Sequence, residues 1–310
     1  MAKKILIIGL NPVWQRIIIL PELKLGEINR ASNTLHCASG KGFNYCKTLK
    51  LLNAPTLLAG FAGGDRGVKY IKELNNLGVE SIYEQTNSKT RSCTTLISES
   101  LHQVTEVIDP SPVITKEEIA NLKEKIFEEA DECGAIIICG THPNGMDLNF
   151  YKEVLTEFKD KLSLIDSYKG VEEALKMKPN ILKVNANELK ELSSKNDLND
   201  GASFCFKEYD LKYLGVTDGP NKACLFSKDK RYDYNIPTIN VLNPIGAGDS
   251  VGAGTMFKNF IEEKDMEDAF RFGLACGVAS CENNMPSEFD LNRVGELYEL
   301  IDLTESNWNF

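Results

Sequence analysis

The sequence has only three histidines, His36, His102 and His142, too few and too scattered to suggest a zinc site. It has no cluster of lysine or arginine, and its net charge is −10. Neutralising nucleic-acid phosphates needs a concentrated basic surface, so such a partner is not expected. A phosphorylated small molecule is still allowed, because a few convergent basic groups override the global sign inside a cleft. No apolar run is long enough to span a bilayer, so no membrane partner is expected. Met1-Ala-Lys-Lys-Ile5 runs straight into a strand-like segment without the cleavage site of a signal peptide. Cys-x-x-Cys pairs are missing as well. The nine cysteines (Cys37, Cys46, Cys93, Cys133, Cys139, Cys205, Cys224, Cys276, Cys281) form an odd, scattered set. That pattern fits free thiols in a reducing cytoplasm, and nothing marks one as an activated nucleophile. With 42% hydrophobic and 26% charged residues, the composition is that of an ordinary globular chain. Neither a repeat nor a low-complexity linker divides the 310 residues, a length that α/β folds often reach around one sheet.

Short, continuous apolar runs predict buried strands at Lys4–Leu10, Thr56–Gly60, Ala135–Cys139, Leu162–Asp166, Ile181–Val184 and Tyr213–Thr217. Most precede segments with helical spacing of apolar residues: Gly42–Leu52, Gly67–Asn76, Lys116–Asp131, Asn149–Lys159, Val251–Glu262 and Met266–Cys281. This alternation predicts a parallel sheet with crossover helices. Trp14–Leu20 with Asn33–His36, and Ser92–Ser98 with Gln103–Ile108, read as strand pairs outside the alternation. They are either plain edge strands or a small sheet covering one end of the large one. The second reading is preferred because both pairs flank glycine-rich or basic motifs. Ser193–Gly201 reads as a loop.

Two motifs carry chemistry. Asn243-Pro-Ile-Gly246-Ala-Gly248-Asp249-Ser250 leads into an apolar helix. Glycines there leave backbone N–H groups open and the helix dipole adds positive charge, which suits a phosphate or a developing anion. An aspartate in that turn is a proton acceptor beside an anion hole, the combination that passes a phosphoryl group to an alcohol. The same run would also serve as a plain helix start with glycines for close packing. The second motif is Ser39-Gly40-Lys41-Gly42-Phe-Asn44, again opening a helix, where Lys41 supplies charge and the Asn44 amide can bind sugar hydroxyls. Neither motif has the spacing of a Walker A loop or a dinucleotide fingerprint.

Five motifs in order carry a family resemblance: Leu10-Asn-Pro12, Ser39-Gly-Lys-Gly-x-Asn44, Thr90-Arg91, Gly140-Thr-His-Pro143-x-Gly145, and Asn185-x-x-Glu188 followed by Gly246-Ala-Gly-Asp249. The chain resembles the PfkB (ribokinase-like) carbohydrate kinases, above all the branch of 1-phosphofructokinase, tagatose-6-phosphate kinase and the minor 6-phosphofructokinase. The resemblance implies a single domain over residues 1–310. Its doubly wound, mostly parallel α/β sheet would be flanked by helices and carry a small β-sheet lid from about 12–37 and 90–109. It implies a cytoplasmic kinase that uses ATP and Mg2+ and transfers phosphoryl to a ketohexose phosphate. Asp249 would be the base and Gly246, Ala247 and Gly248 the anion hole. Gln15, Gly40, Lys41 and Asn44 would hold the sugar, with Lys41 or Arg91 facing its phosphate. Asn185 and Glu188 would organise Mg2+ through water. Thr217, Gly219 and Asn283 would lie beside the nucleotide. A homodimer through the lid strands is compatible with this reading.

Three positions depart from the family pattern. Gln15 stands where an aspartate is usual, Asn243-Pro244 replaces Asp-Thr or Ser-Thr, and Lys222 falls where a glycine is expected. They suggest one alternative, a catalytically weak sugar-phosphate or nucleotide sensor; a second, independent of them, is a kinase of an unphosphorylated sugar or nucleoside in the same superfamily.

Overall fold

The computed structural model describes residues 3–101, 103–220 and 222–309, so His102 lies outside the described residues. The chain opens with β1 (Lys4–Ile8), leaves that layer for β2 (Val13–Leu20) and β3 (Asn33–Ser39), and returns through α1 (Lys41–Leu51) to β4 (Thr56–Ala62). Helix α2 (Gly64–Leu77) leads to the edge strand β5 (Glu80–Gln85), after which β6 (Arg91–Ser98) and β7 (Gln103–Ile108) join β2 and β3. Strands and helices then alternate: α3 (Lys116–Glu128), β8 (Cys133–Cys139), α4 (Asn149–Glu157), β9 (Leu162–Asp166), α5 (Glu172–Leu175) and β10 (Ile181–Asn185). Helices α6 (Ala186–Ser193) and α7 (Leu198–Tyr209) precede β11 (Tyr213–Asp218). The chain ends with β12 (Lys222–Phe226), β13 (Lys230–Asn235), α8 (Ala247–Met256), α9 (Met266–Cys281), α10 (Leu291–Leu300) and β14 (Asp302–Asn307).

The large sheet has the order β14-β13-β12-β11-β10-β9-β8-β1-β4-β5. It is parallel from β11 through β5, and antiparallel among β11 to β14. Ile5, Leu6, Ile7 and Ile8 of β1 are all fully buried, because helices cover both faces of the strand. The two-residue period sends Leu6 and Ile8 to one apolar layer, Ile5 and Ile7 to the other. The predicted doubly wound α/β architecture is therefore the observed one. No helix among the described residues is long and apolar enough to cross a membrane.

Since β4 lies on one side of β1 and β8 on the other, the winding reverses at β1, and a crevice opens beyond the carboxyl ends of β1 and β8. The four-stranded sheet β3-β2-β6-β7 stands beside that crevice. Helix α2 holds it in place: Glu73 Oε2 accepts from the Ala38 N–H at 2.7 Å, and the Lys69 ammonium lies 5.7 Å from the Trp14 ring centre.

Several elements differ from the reading of the sequence. Leu198–Gly201, expected as loop, is the first turn of α7, which Asp197 caps by accepting from the Asn199 and Asp200 N–H groups. Helix α8 starts at Ala247 rather than Val251 and ends in a π turn at Phe257–Ile261. Lys222, which stands where a glycine is expected, begins β12 and pairs with Asp218.

Gly42 lets α1 rest directly on β1. A Cβ there would stand 2.9 Å from Gly9 Cα and 3.1 Å from Leu58 Cδ1. Alanine gains at most about 1 kcal/mol of helix propensity, less in a first turn, whereas overpacking costs about 1–3 kcal/mol. Gly42→Ala should therefore lower stability in urea unfolding; a gain would mean that α1 is free to shift away from β1.

Candidate active site

The crevice is a cavity of about 270 Å³, bounded below by the ends of β1 and β8 and the first turns of α1 and α8, and on its open side by the small sheet. Gln15, Gly40, Lys41, Asn44, Arg91, Glu188, Gly246 and Asp249 all line it, so both motifs and the two small-sheet residues converge on one space.

Gly246 caps α8 with φ +80°, a conformation that favours glycine, and this turns the chain so that Asp249 falls in the helix's first turn. The Ala247 N–H makes a long turn bond to the Pro244 carbonyl at 3.3 Å. The N–H groups of Gly246 and Gly248 have no backbone partner among the described residues. Asn243 is fully buried and uses both ends of its amide, accepting from the Ile245 N–H at 3.0 Å and donating to the Asn284 carbonyl at 2.8 Å. The Asn243-Pro244 departure is thus a brace for this turn.

Asp249 is 6% exposed and accepts from Asn44 Nδ2 at 2.7 Å. Burial raises its pKa from an ordinary 3.8 to about 6; Lys41 opposes that rise and the charge of Asp166 adds to it. Asp166, at the end of β9, has no exposed surface. Its Oδ1 takes Lys41 Nζ at 2.6 Å, and its Oδ2 takes Lys183 Nζ at 3.1 Å and the Tyr45 hydroxyl at 2.8 Å. Burial pushes the Asp166 pKa up, but Lys183 and Lys41 outweigh it and hold the group ionised. For Lys41, burial favours the neutral form and is outweighed by Asp166, Asp249 and Glu188, so the ammonium is locked on.

Lys41 therefore sits on the floor of the cavity, bound to Asp166 and 3.8 Å from Glu188 Oε1. Glu188 and Asn185 form a capping box at the start of α6: Glu188 Oε2 accepts from the Asn185 N–H at 2.8 Å, and Asn185 Oδ1 accepts from the Glu188 N–H at 2.9 Å. Arg91 is only half-buried, yet its Nε is buried and has no hydrogen-bond partner among the described residues. Burial lowers its pKa. Thr90 fixes its base by accepting from the Gly63 N–H at 3.1 Å. Gln15 is 2% exposed, and its Nε2 donates to Thr95 Oγ1.

Thr217 pairs with Asn185 across β10 and β11, with Gly219 in the exposed turn beyond. Asn283 follows α9 and donates to the Ala279 carbonyl at 3.2 Å. These three lie outside the cavity lining.

Sequence reasoning missed Asp166, Lys183 and Tyr45. Two signals were available: Asp166 closes a predicted parallel strand at the end where ligands bind, and Lys183 interrupts an otherwise apolar strand, where a lone charge needs a partner. Asn11 was also passed over, although it lines the cavity with Oδ1 buried and unpartnered among the described residues.

The family model described as pfkB family carbohydrate kinase matches residues 3–289. A tagatose-6-phosphate kinase of Staphylococcus epidermidis is 26% identical over 311 residues, covering 97% of this chain and 99% of that protein. The crystal structure of phosphofructokinase-2 from Escherichia coli in complex with substrates and products aligns with a TM-score of 0.87 at 20% identity, over 96% of this chain and 99% of the other. Arabidopsis thaliana ribokinase complexed with ribose and ATP aligns with a TM-score of 0.74 at 21% identity, over the same shares. At these identities the structural likeness establishes the fold.

A pKa raised from 3.8 to about 6 means that the ionised Asp249 destabilises the folded state by up to about 3 kcal/mol. This cost is full above about pH 6 and fades as pH falls toward 4. Asp249→Asn should therefore be more stable than the parent in urea at pH 7.5, with roughly half of that gain left at pH 5. Equal stability at pH 7.5 would show that the carboxylate is fully compensated.

Proposed function

Since the chain belongs to the pfkB family of carbohydrate kinases, matched over residues 3–289, we propose that it transfers a phosphoryl group from ATP to a hydroxyl of a ketohexose phosphate: fructose 1-phosphate, tagatose 6-phosphate or fructose 6-phosphate. The observation that carries this reading is the presence, in one cavity, of a buried carboxylate poised near pH 6, Asp249, and of Arg91, whose buried Nε has no partner among the described residues.

Asp249 takes the proton of the acceptor hydroxyl. A base with a pKa of about 6 is ionised at neutral pH and still accepts a proton readily. Asn44 fixes its orientation through the 2.7 Å bond. The open N–H groups of Gly246 and Gly248 receive the negative charge of the group in flight, where the helix dipole adds to them. Lys41 lies at the same place with its charge held on.

Arg91 binds the phosphate that the sugar already bears, which supplies the missing partner of its Nε. Gln15 gives one amide hydrogen to Thr95, which leaves its Oε1 to accept from a sugar hydroxyl and its second N–H to donate, where a carboxylate would only accept. Glu188 has one oxygen left over from the helix cap, and a single carboxylate suits Mg2+, which keeps several waters and phosphate oxygens as ligands. When bound, the ion neutralises charge on the phosphates. Thr217 and Gly219, beyond Asn185, flank the nucleotide, with Asn283 toward its adenine end. The β2-β3-β6-β7 sheet is the lid that excludes water, so that ATP hydrolysis does not compete with transfer.

Turnover followed by ADP release should be fastest on a ketohexose phosphate in a panel that also holds free fructose and ribose. Arg91→Ala should raise the KM of that substrate roughly tenfold to a hundredfold, the size of a lost charge-assisted hydrogen bond, and leave the KM of ATP nearly constant. Highest kcat/KM on an unphosphorylated sugar, or no turnover on any member, would overturn the reading.

A further inference from the structure

Lys47 lies outside the cavity lining and outside every motif that points to chemistry, yet its side chain is only 12% exposed. It sits on α1, one turn beyond Asn44. Its ammonium donates to the Pro286 carbonyl at 3.0 Å and pairs with Glu288 Oε1 at 2.7 Å, so it reaches across 239 residues to the segment that follows α9. That segment in turn closes on the anion-binding turn. Ser287, fully buried with φ +54°, donates its hydroxyl to the Gly246 carbonyl at 3.2 Å, and Asn284 offers its carbonyl to the Asn243 amide at 2.8 Å. A Cβ on Gly246 would stand 2.6 Å from Ser287 Oγ, so the two segments are in close contact there.

We propose that Lys47 is a positioning residue for the transfer reaction: its ammonium is an internal cation that clamps residues 284–288 over Gly246 and so fixes where the Gly246 and Gly248 N–H groups point. The proposal rests on the kinase reading given above. Besides Lys41 and Tyr45, which bind Asp166, three side chains of α1 bond to α8 or to the segment beside its start: Asn44 to Asp249, Thr48 Oγ1 to Ser250 Oγ at 3.1 Å, and Lys47 to the 284–288 segment. The first two reach α8 itself. Lys47 alone of the three reaches the turn from behind, through Ser287 and the Gly246 carbonyl. That carbonyl also accepts the first helical hydrogen bond, from the Ser250 N–H at 2.9 Å, so a shift of Ser287 moves the start of the helix. The geometry assigns Lys47 to alignment instead of substrate affinity. A misplacement of about 1 Å in a catalytic group costs up to about a hundredfold in rate.

The test uses Lys47→Met, Lys47→Arg and the parent, with kcat and KM measured for ATP and for the best sugar phosphate. Amide hydrogen exchange of residues 243–250 and 284–288 is followed in parallel. Lys47→Met should lower kcat roughly tenfold to a hundredfold while both KM values stay within about twofold. Its amides in both segments should exchange faster. Methylammonium chloride, a small cation able to enter the space left by the ammonium, should recover part of kcat and slow the exchange again, and Lys47→Arg should keep most of the parent rate. A merely structural salt bridge would not give the split between kcat and KM or the rescue. Parent-like kcat in Lys47→Met, or a loss of kcat with unchanged exchange at 243–250, overturns the proposal. If Lys47→Met does not fold, Glu288→Gln, at a half-exposed position, should show the same pattern at smaller size, and parent-like behaviour would overturn it. A parent chain without phosphoryl transfer would sink the kinase reading instead, and the exchange measurements would then decide the clamp alone.

Discussion

Asp166 has no contact with water, and a carboxylate in that position stays ionised only while cations and donors surround it. Lys41, Lys183 and Tyr45 supply that surrounding, and in doing so they are themselves held still. Breaking a buried ion pair on one side typically costs about 3–5 kcal/mol, so the cluster is strongly coupled to the fold. It also sets the chemistry above it. Lys183 Nζ lies 2.9 Å from where a Cβ on Gly248 would be, which brings its charge to the Gly246–Gly248 turn, and Lys41 faces both Asp249 and Glu188. Asp249 receives opposed influences from the two lysines and from Asp166, and burial decides the outcome in favour of a raised pKa. The electrostatic floor of the site is therefore one connected object.

The topology explains why these groups meet. Reversal of the winding at β1 leaves the crevice: Asn11 and Gly140, beyond the ends of β1 and β8, line it, Asp166 closes β9 beneath Lys41, and β10 leads through Asn185 into α6, whose Glu188 lines it. The helices that open at the same level, α1 and α8, bring their N-termini, and with α8 the Gly246 and Gly248 N–H groups that have no backbone partner among the described residues. The small sheet adds what the large one lacks, polar side chains that approach from the open side: Gln15 on β2 and Arg91 on β6.

Much of this was legible in the sequence. Leu162–Asp166, Gln103–Ile108 and Met266–Cys281 coincide with observed elements, because an apolar run or a helical stripe there has a sharp boundary. The strands β12 to β14 were not read. Asp302–Asn307 is exposed along its whole length, so no alternation of apolar residues announces it, and β13 is only partly buried. Asn185-x-x-Glu188 was read as a ligand motif and is also the capping box of α6, a helix start that the same residues spell out. The two glycine motifs gave the heart of the site. The floor beneath them did not emerge, because the lone charges Asp166 and Lys183 call for partners without naming them, and Tyr45 lies 121 residues from Asp166. Lys47 is the extreme case, since its partners lie some 240 residues away.

The central claim is that burial and the Asp166 cluster hold Asp249 as a base near pH 6. The most direct measurement is the pH dependence of kcat and of kcat/KM for the best sugar phosphate at saturating ATP, between pH 4.5 and 8.5. The account predicts an acidic limb with its midpoint close to pH 6, present in kcat at saturation of both substrates as well as in kcat/KM, where the sugar phosphate's own ionisation at about pH 6 adds to it. A kcat profile that stays flat down to pH 4.5 would contradict it, because the carboxylate would then be an ordinary one and the cluster would have no hold on the chemistry.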